Sequence, residues 1–242
     1  MDKRTWVALG AVFAITFPLL YKIETSCGKM GGLQHQLSLF LLAWIPGCIG
    51  LIGAKFERFK IPFFGEPSRF LFYSYLFSRV FVFYFVLDLD SSWYILVPLT
   101  LAIDLVLLWM VALGEAIFWW GYLYHKLEKY PPILSIVIIG LTQGLWQMLF
   151  FLVNLGPYLS YTHKFFFVPL VAMLLSPTLY YLRVRGRCIL YPSVFFTPML
   201  CYTLCSPEEI QSMFGMASLV CLFLLACVAL VLLQRQKQIV FW

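Results

Sequence analysis

Residues 114–155 read GEAIFWWGYLYHKLEKYPPILSIVIIGLTQGLWQMLFFLVNL. Two apolar helical runs meet at Tyr130-Pro131-Pro132. Proline fixes φ, lacks an N–H and drives the preceding residue away from the α region, so the chain is expected to turn there. The first run holds one carboxylate, Glu115, and the second holds two amides, Gln143 and Gln147. Positions 115 and 147 are equally distant from position 131. An antiparallel helical hairpin would therefore set Glu115 opposite Gln147 at one depth.

The composition around this hairpin is that of a membrane protein. Of 242 residues, 62% are hydrophobic, 19% aromatic and only 12% charged, and the mean hydropathy is +0.89. Soluble domains carry about 25% charged residues. In hydrocarbon every backbone polar group must be satisfied internally, which leaves helices or a closed barrel. Apolar runs of about 17–25 residues select helices, and the short alternating segments of a barrel are missing from the sequence.

Taken in order, the chain divides into eight expected spans. Met1-Asp2-Lys3-Arg4 precedes the apolar run Thr5–Tyr21, which has the charge pattern of a signal peptide but no small-x-small cleavage site. Thr25-Ser26-Cys27 has a faint lipoprotein character, yet Glu24 stands where such sites need an aliphatic residue, so a retained first span is expected. A polar loop, Lys22–His35, leads to the second span, Leu37–Ala54, where Pro46 and Gly47 suggest a bend. Lys55–Arg69 reads as an interfacial loop with Phe side chains dipping into the bilayer. The third span is Phe70–Leu87. From Trp93 to Leu127 no loop interrupts the pattern. A straight helix of that length would be about 50 Å, against about 30 Å of hydrocarbon. The fourth helix must therefore tilt, break near Gly114 or Gly121, or leave the membrane as an amphipathic end around Tyr124–Lys129. Ile133–Val153 is the fifth span. Phe165–Leu182 is the sixth, with an expected break near Ser176-Pro177. Ile189–Cys205 is the seventh and Met213–Leu233 the eighth. Three regions result: N-terminal helices over 1–92, a core over 93–205, and a last helix with a short tail over 206–242. The fold class expected is an all-α polytopic transmembrane helical bundle.

Basic residues orient it. The N-terminus, Lys55–Arg69, Lys126–Lys129, Arg183–Arg187 and the tail carry 13 Lys and Arg, and the opposite loops carry 3. By the positive-inside rule both termini are cytoplasmic. The net charge of +6 is then an orientation signal, with the lipid bilayer and its anionic headgroups as neighbours. No basic face with base-stacking geometry lies outside the apolar runs, so no nucleic-acid partner is indicated. The seven cysteines contain no C-x-x-C pair and no His-Cys cluster, and no metal or other cofactor is indicated. In apolar runs cysteine packs as a small hydrophobe.

Ionisable side chains inside spans are costly and mark function by default. Arg79, Asp104 and Glu115 qualify. Asp104 and Glu115 are eleven residues apart, three turns plus about 20°, and share a helix face. Two readings stand side by side. Arg79 pairs with Asp104 or Glu115 as a buried structural ion pair, or Glu115 is a general base or proton carrier facing a wet cavity. Gln143, Gln147 and Asn154 fall within about 40° around the fifth helix, either as interhelical hydrogen-bonding glue or as a site. Ser193, Thr197 and Cys201 recur every four residues on the seventh helix, a spacing that serves close packing. Thr197 and Cys201 lie 11 and 15 residues in from Gly186, and Glu115 and Gln147 lie about 16 from their own turn. The four can meet at similar depth in a cavity open to the cytoplasm, where Gln143, Trp119, Trp120 and Trp146 would line it.

These residues resemble the CPBP family, the CAAX-protease and bacteriocin-processing (Abi) intramembrane peptidases. The family's first motif is E-E-x-x-x-R, often continued by G-Y-L. Glu115-Ala116-Ile117-Phe118-Trp119-Trp120-Gly121-Tyr122-Leu123 is similar, with Ala116 in the place of the second glutamate and Trp120 in that of the arginine. A second motif sets a histidine in a G-L-W-H-L context, and Gly144-Leu145-Trp146-Gln147-Met148 resembles it with Gln147 at the histidine. Tyr181-Leu182-Arg183 and the Arg187–Pro192 stretch resemble the opening of a third region. Thr197 then falls at its histidine and Cys201 at its asparagine. The likeness covers 99–205.

The resemblance implies an intramembrane endopeptidase in which the first glutamate activates water, and the histidines and asparagine assist or stabilise the oxyanion. Of that set only Glu115 is retained. A glutamine can donate a hydrogen bond but cannot shuttle a proton at neutral pH. Losing one oxyanion donor costs a factor of about 10²–10³ in rate. The expectation is therefore a catalytically degenerate relative that binds a membrane-embedded or lipidated peptide or protein. Two alternatives remain: an active peptidase with Glu115 as base and Gln147 and Thr197 as oxyanion donors, and a small transporter with Arg79, Asp104 and Glu115 on its path, although no repeated halves are visible.

Overall fold

A computed structural model describes residues 1–26, 32–65, 109–153, 162–195 and 223–235. Among these the chain is all-helical, with no strand. Helix α1 is Lys3–Ser26 and α2 is Gly32–Phe56. Helix α3 covers 109–127, and its middle, Ile117–Leu123, is π-helical. Pro132–Val153 is α4, Thr162–Gly186 is α5, residues 190–195 open α6, and 223–235 form α7. Lys3–Ile23 and Pro132–Leu149 are long and apolar enough to cross a membrane, and Phe40–Phe56 and Phe223–Arg235 are shorter apolar helices.

The turn between α3 and α4 falls where the proline pair put it. Tyr130 N–H donates to Leu127 O at 2.9 Å and ends α3. Pro132 takes the first helical position of α4, where its missing N–H is no loss. Ser135 Oγ, fully buried, donates back to Leu127 O at 2.8 Å and fastens the two helices at the turn.

Two expectations are corrected, and a third, for α3, is narrowed to the amphipathic end among its alternatives. The polar loop at Lys22–His35 is shorter than expected, because α1 continues to Ser26 and α2 starts at Gly32. Helix α5 does not break near Ser176-Pro177; it runs to Gly186 with Pro169 and Pro177 inside. Ser176 Oγ donates to Ala172 O at 2.7 Å, an i→i−4 back-bond within the helix just before Pro177. Helix α3 breaks at neither Gly114 nor Gly121. It widens into the π segment instead, where i→i+5 bonding adds a residue to the turn, and all seven of its residues are buried. It then ends in a short amphipathic turn, Tyr124–Leu127, in which Tyr124 and Leu127 are buried and His125 is exposed.

Glycines set two close backbone contacts between helices. A Cβ on Gly47 would lie 2.7 Å from Gly114 O, so α2 and α3 touch backbone to backbone. Gly47, expected to bend α2, serves this contact. On α4, a Cβ at Gly144 would lie 2.7 Å from Pro169 Cα of α5. Small residues at such spacing let helices approach where no hydrophobic drive separates protein from lipid.

One end of the bundle collects the basic segments. Asp2 caps α1 by accepting from Thr5 N–H and Thr5 Oγ1 at 2.8 and 2.6 Å. Lys126 reaches Asp2 at 3.3 Å and also pairs with Glu57, which accepts from Tyr122 OH at 3.0 Å. Ile189 N–H donates to Pro62 O at 2.9 Å. The start of α1, the end of α2 with 57–65, the end of α3 and the turn after α5 therefore meet at one end.

Gly144→Leu should drive a side chain into Pro169 and lower stability by about 1–3 kcal/mol. Gly10→Leu, where a Cβ meets nothing within 4 Å, should change it little. Equal unfolding midpoints for the two variants in detergent would contradict this packing. The Thr5 hydrogen bonds, helped by the Lys126 ammonium, hold the Asp2 carboxyl well below the usual carboxylate range. A folded value below the unfolded one gives stability that is full above about pH 4 and is lost as pH falls through the folded value. Asp2→Asn keeps a capping oxygen but removes the titration. Its unfolding midpoint should fall less on acidification than that of the wild type, and parallel curves would contradict the assignment.

Candidate functional site

Glu115 sits at the junction where α3 passes from α-helix into the π segment, 2% exposed. Gln143 and Gln147 are one turn apart on α4 and point at it. Gln147 Nε2 donates to Glu115 Oε2 at 3.0 Å and Gln143 Nε2 to the same oxygen at 3.3 Å. The symmetric count from the proline turn thus translates into a direct contact, and the second amide joins because four residues return to the same helix face.

Aromatic side chains seal this centre. Trp146, next to Gln147, donates from Nε1 to Thr16 Oγ1 of α1 at 3.1 Å, which ties α1 to α4. Its ring lies 6.3 Å from that of Trp119. Trp44 of α2 packs its ring against Gly114, the residue before Glu115. The indole N–H groups of Trp44, Trp119 and Trp120 are buried and have no hydrogen-bond partner among the described residues. The centre is thus rich in donors: two amides already turned to one carboxylate oxygen, and three unused indoles packed around the same helices.

The π segment also brings in Arg183. Tyr124 N–H bonds to Trp119 O and Gly121 O. It bypasses Trp120 O, which accepts from Arg183 Nε of α5 at 2.8 Å. Trp120 is the position at which the resembling motif carries an arginine, and here a guanidinium reaches that backbone from another helix.

Helix α6 approaches through Ser193, whose Oγ accepts from Trp109 Nε1 at 3.2 Å and donates to Leu190 O at 2.7 Å. The depth count assumed that the turn after α5 and the turn after α3 lie level. They do not, because Ile189 packs beside Gly121, well before the Tyr130 turn. At 1.5 Å per residue, Ser193 stands about 6 Å and Glu115 about 9 Å from that shared level. Thr197, Cys201, Arg79 and Asp104 lie outside the described residues, as do Asn154 and the expected third span.

Among the described residues no three His, Cys, Asp or Glu side chains are grouped to hold a metal ion. The partners of Glu115 are amides, which donate to a carboxylate and take no proton from water at neutral pH. Sequence reasoning missed Thr16, Trp44 and the Arg183–Trp120 contact. Thr16, a lone hydroxyl inside an apolar run, was the one signal available for the first of these. No family model and no curated protein matches the chain, so the CPBP likeness rests on its three motifs.

Gln147→Leu removes the shorter of two hydrogen bonds to a buried carboxylate and should destabilise by about 1–3 kcal/mol. Combining it with Glu115→Met removes the stranded acceptor as well. The double-mutant cycle should give a coupling of about 0.5–3 kcal/mol, measured by unfolding in detergent. Additive effects would mean that the two side chains do not interact.

Proposed function

We propose that this protein is a multi-pass membrane protein with a CPBP-like core, both termini cytoplasmic, whose peptidase centre has become a binding site. The observation that carries this reading is the pair of amides on Glu115 Oε2, at 3.0 and 3.3 Å. The motif position that holds a histidine in the resembling family here supplies Gln147 Nε2 to the carboxylate. A glutamate fixed by two amide donors is positioned, yet it lacks a neighbour that can relay a proton. In such a centre the carboxylate can accept from a ligand N–H and the unused indoles can donate to a ligand carbonyl, without hydrolysis of an amide.

The membrane part of the reading has its own support. Val7, Ile15, Phe17 and Leu19 of α1 and Ile133, Val137, Leu141 and Leu145 of α4 are exposed. So are Phe223, Leu224, Val228 and Val231 of α7. Outward apolar rows of this kind suit lipid. Four of the five segments rich in Lys and Arg meet at one end, the arrangement that a cytoplasmic face requires. The occupant proposed is a membrane-embedded or lipidated peptide, whose chain would lie among the buried tryptophans and whose carbonyl groups would take the unused indole donors.

The test uses full-length protein in vesicles and a fluorescent farnesylated cysteine peptide. Saturable binding should be displaced by unlabelled farnesylated peptide and not by the unprenylated form, with no cleavage product above empty vesicles. Cleavage abolished by Glu115→Gln would replace this reading with that of an active intramembrane endopeptidase. Failure of the farnesylated peptide to bind would contradict it.

A further inference from the structure

At the end where the basic segments gather, one guanidinium is buried without a counter-ion. Arg183 is 8% exposed. Its Nε donates to Trp120 O at 2.8 Å, and its Cζ lies 4.6 Å from the centre of the Tyr124 ring. These contacts use one N–H and one face of a group with five donors. Among the described residues no carboxylate pairs with it. Asp2 and Glu57 pair with Lys126, and Glu128, beside His125, attracts Arg183 only from beyond ion-pair distance. In the segments that meet at this end Arg58, Lys60, Arg185 and Arg187 are exposed, so the surface has an excess of positive charge.

An unpaired buried charge is costly. The carbonyl end of α5 favours cations, but Arg185 and Arg187 serve that end from the surface without burial. The free edge of a planar guanidinium, flanked by exposed arginines, is the donor arrangement that takes a phosphate in a bidentate way. The neighbouring surface is apolar as well as basic. Phe64 is 83% exposed, and its segment is held against the turn after α5 by the Ile189–Pro62 hydrogen bond and by the close approach of Gly65 to Gly186. Exposed phenylalanine beside cations is the pattern of a surface at the headgroup–acyl boundary. We propose that Arg183, with Arg185 and Arg187, binds the phosphate of an anionic phospholipid headgroup. This site is separate from the Glu115 centre and does not depend on what occupies that centre.

The experiment follows the unfolding midpoint of full-length protein in a phosphate-free detergent during titration with short-chain lipids that dissolve as monomers. Dihexanoyl phosphatidylglycerol should raise the midpoint saturably, and dihexanoyl phosphatidylcholine should not. Arg183→Gln should raise the half-saturating concentration at least tenfold, and Arg183→Lys, which keeps the charge and loses the fork, should fall between. The double variant Arg185→Gln/Arg187→Gln alters only exposed side chains, so it keeps the test decisive if Arg183→Gln does not fold, and it should weaken binding severalfold. An equal, Arg183-dependent response to inorganic phosphate overturns the lipid source and assigns the site to a soluble phosphate. An equal response to phosphatidylcholine, or a phosphatidylglycerol response unchanged in the variants, overturns the site.

Discussion

A carboxylate enclosed in a helical bundle needs donors, and Glu115 takes two from a single helix. That contact fixes the register of α3 against α4, and most of the surrounding structure can be read as what makes it possible. Pro131 and Pro132 set the turn at the midpoint between acid and amide, and Ser135 closes the turn. Gly144, three residues before Gln147, lets α5 lie flat on α4 and leaves the amide face turned inward. Gly47 and Gly114 bring α2 against α3 just before Glu115, and Trp44 fills the space beside them. Thr16 holds α1 in place through the Trp146 indole. Moving α3 by one residue along α4 would carry the carboxylate past its donors.

Much of this was legible in the sequence, because it depended on counting. The hairpin, the boundaries of α4 and the facing of Glu115 with Gln143 and Gln147 follow from helical periodicity and a proline turn. The features that were not legible share a different origin. A π segment has no residue signature of its own, and Gly121 in its middle suggested a break. Pro177 suggested a break in α5, but the close packing against α4, with Gly140 on Ser176 and Gly144 on Pro169, carries the helix through. Gly47 follows Pro46 and so suggested a bend, whereas its role is a contact with a residue 67 positions away. The level of the turn after α5 depends on Ile189 meeting Gly121, a contact between distant parts of the chain. Local pattern predicts local geometry, and these four features are set by partners.

The two polar centres differ in kind. The Glu115 centre is an acid surrounded by donors, with Trp119 and Trp120 contributing unused indoles. Arg183 is a cation held by the Trp120 carbonyl and the Tyr124 ring, at an end where exposed cations and Phe64 gather. The π segment connects them, since Glu115 precedes it and the Trp120 carbonyl that it leaves to Arg183 lies within it. Along α3 the Glu115 side chain and the Trp120 carbonyl that meets Arg183 are five residues apart.

The central claim is the amide–carboxylate contact itself, and it can be measured directly in a bilayer. Full-length protein with side-chain ¹⁵N-glutamine and ¹³Cδ-glutamate, reconstituted in lipid, would be examined by dipolar-recoupling solid-state NMR. With a Gln147 Nε2 to Glu115 Oε2 distance of 3.0 Å, strong dephasing of one glutamate ¹³Cδ signal by glutamine side-chain ¹⁵N is predicted. That dephasing should drop sharply in Gln147→Leu and vanish when Gln143 is changed as well. A glutamate spectrum with no contact to side-chain nitrogen, or a contact unaffected by either change, would contradict the account.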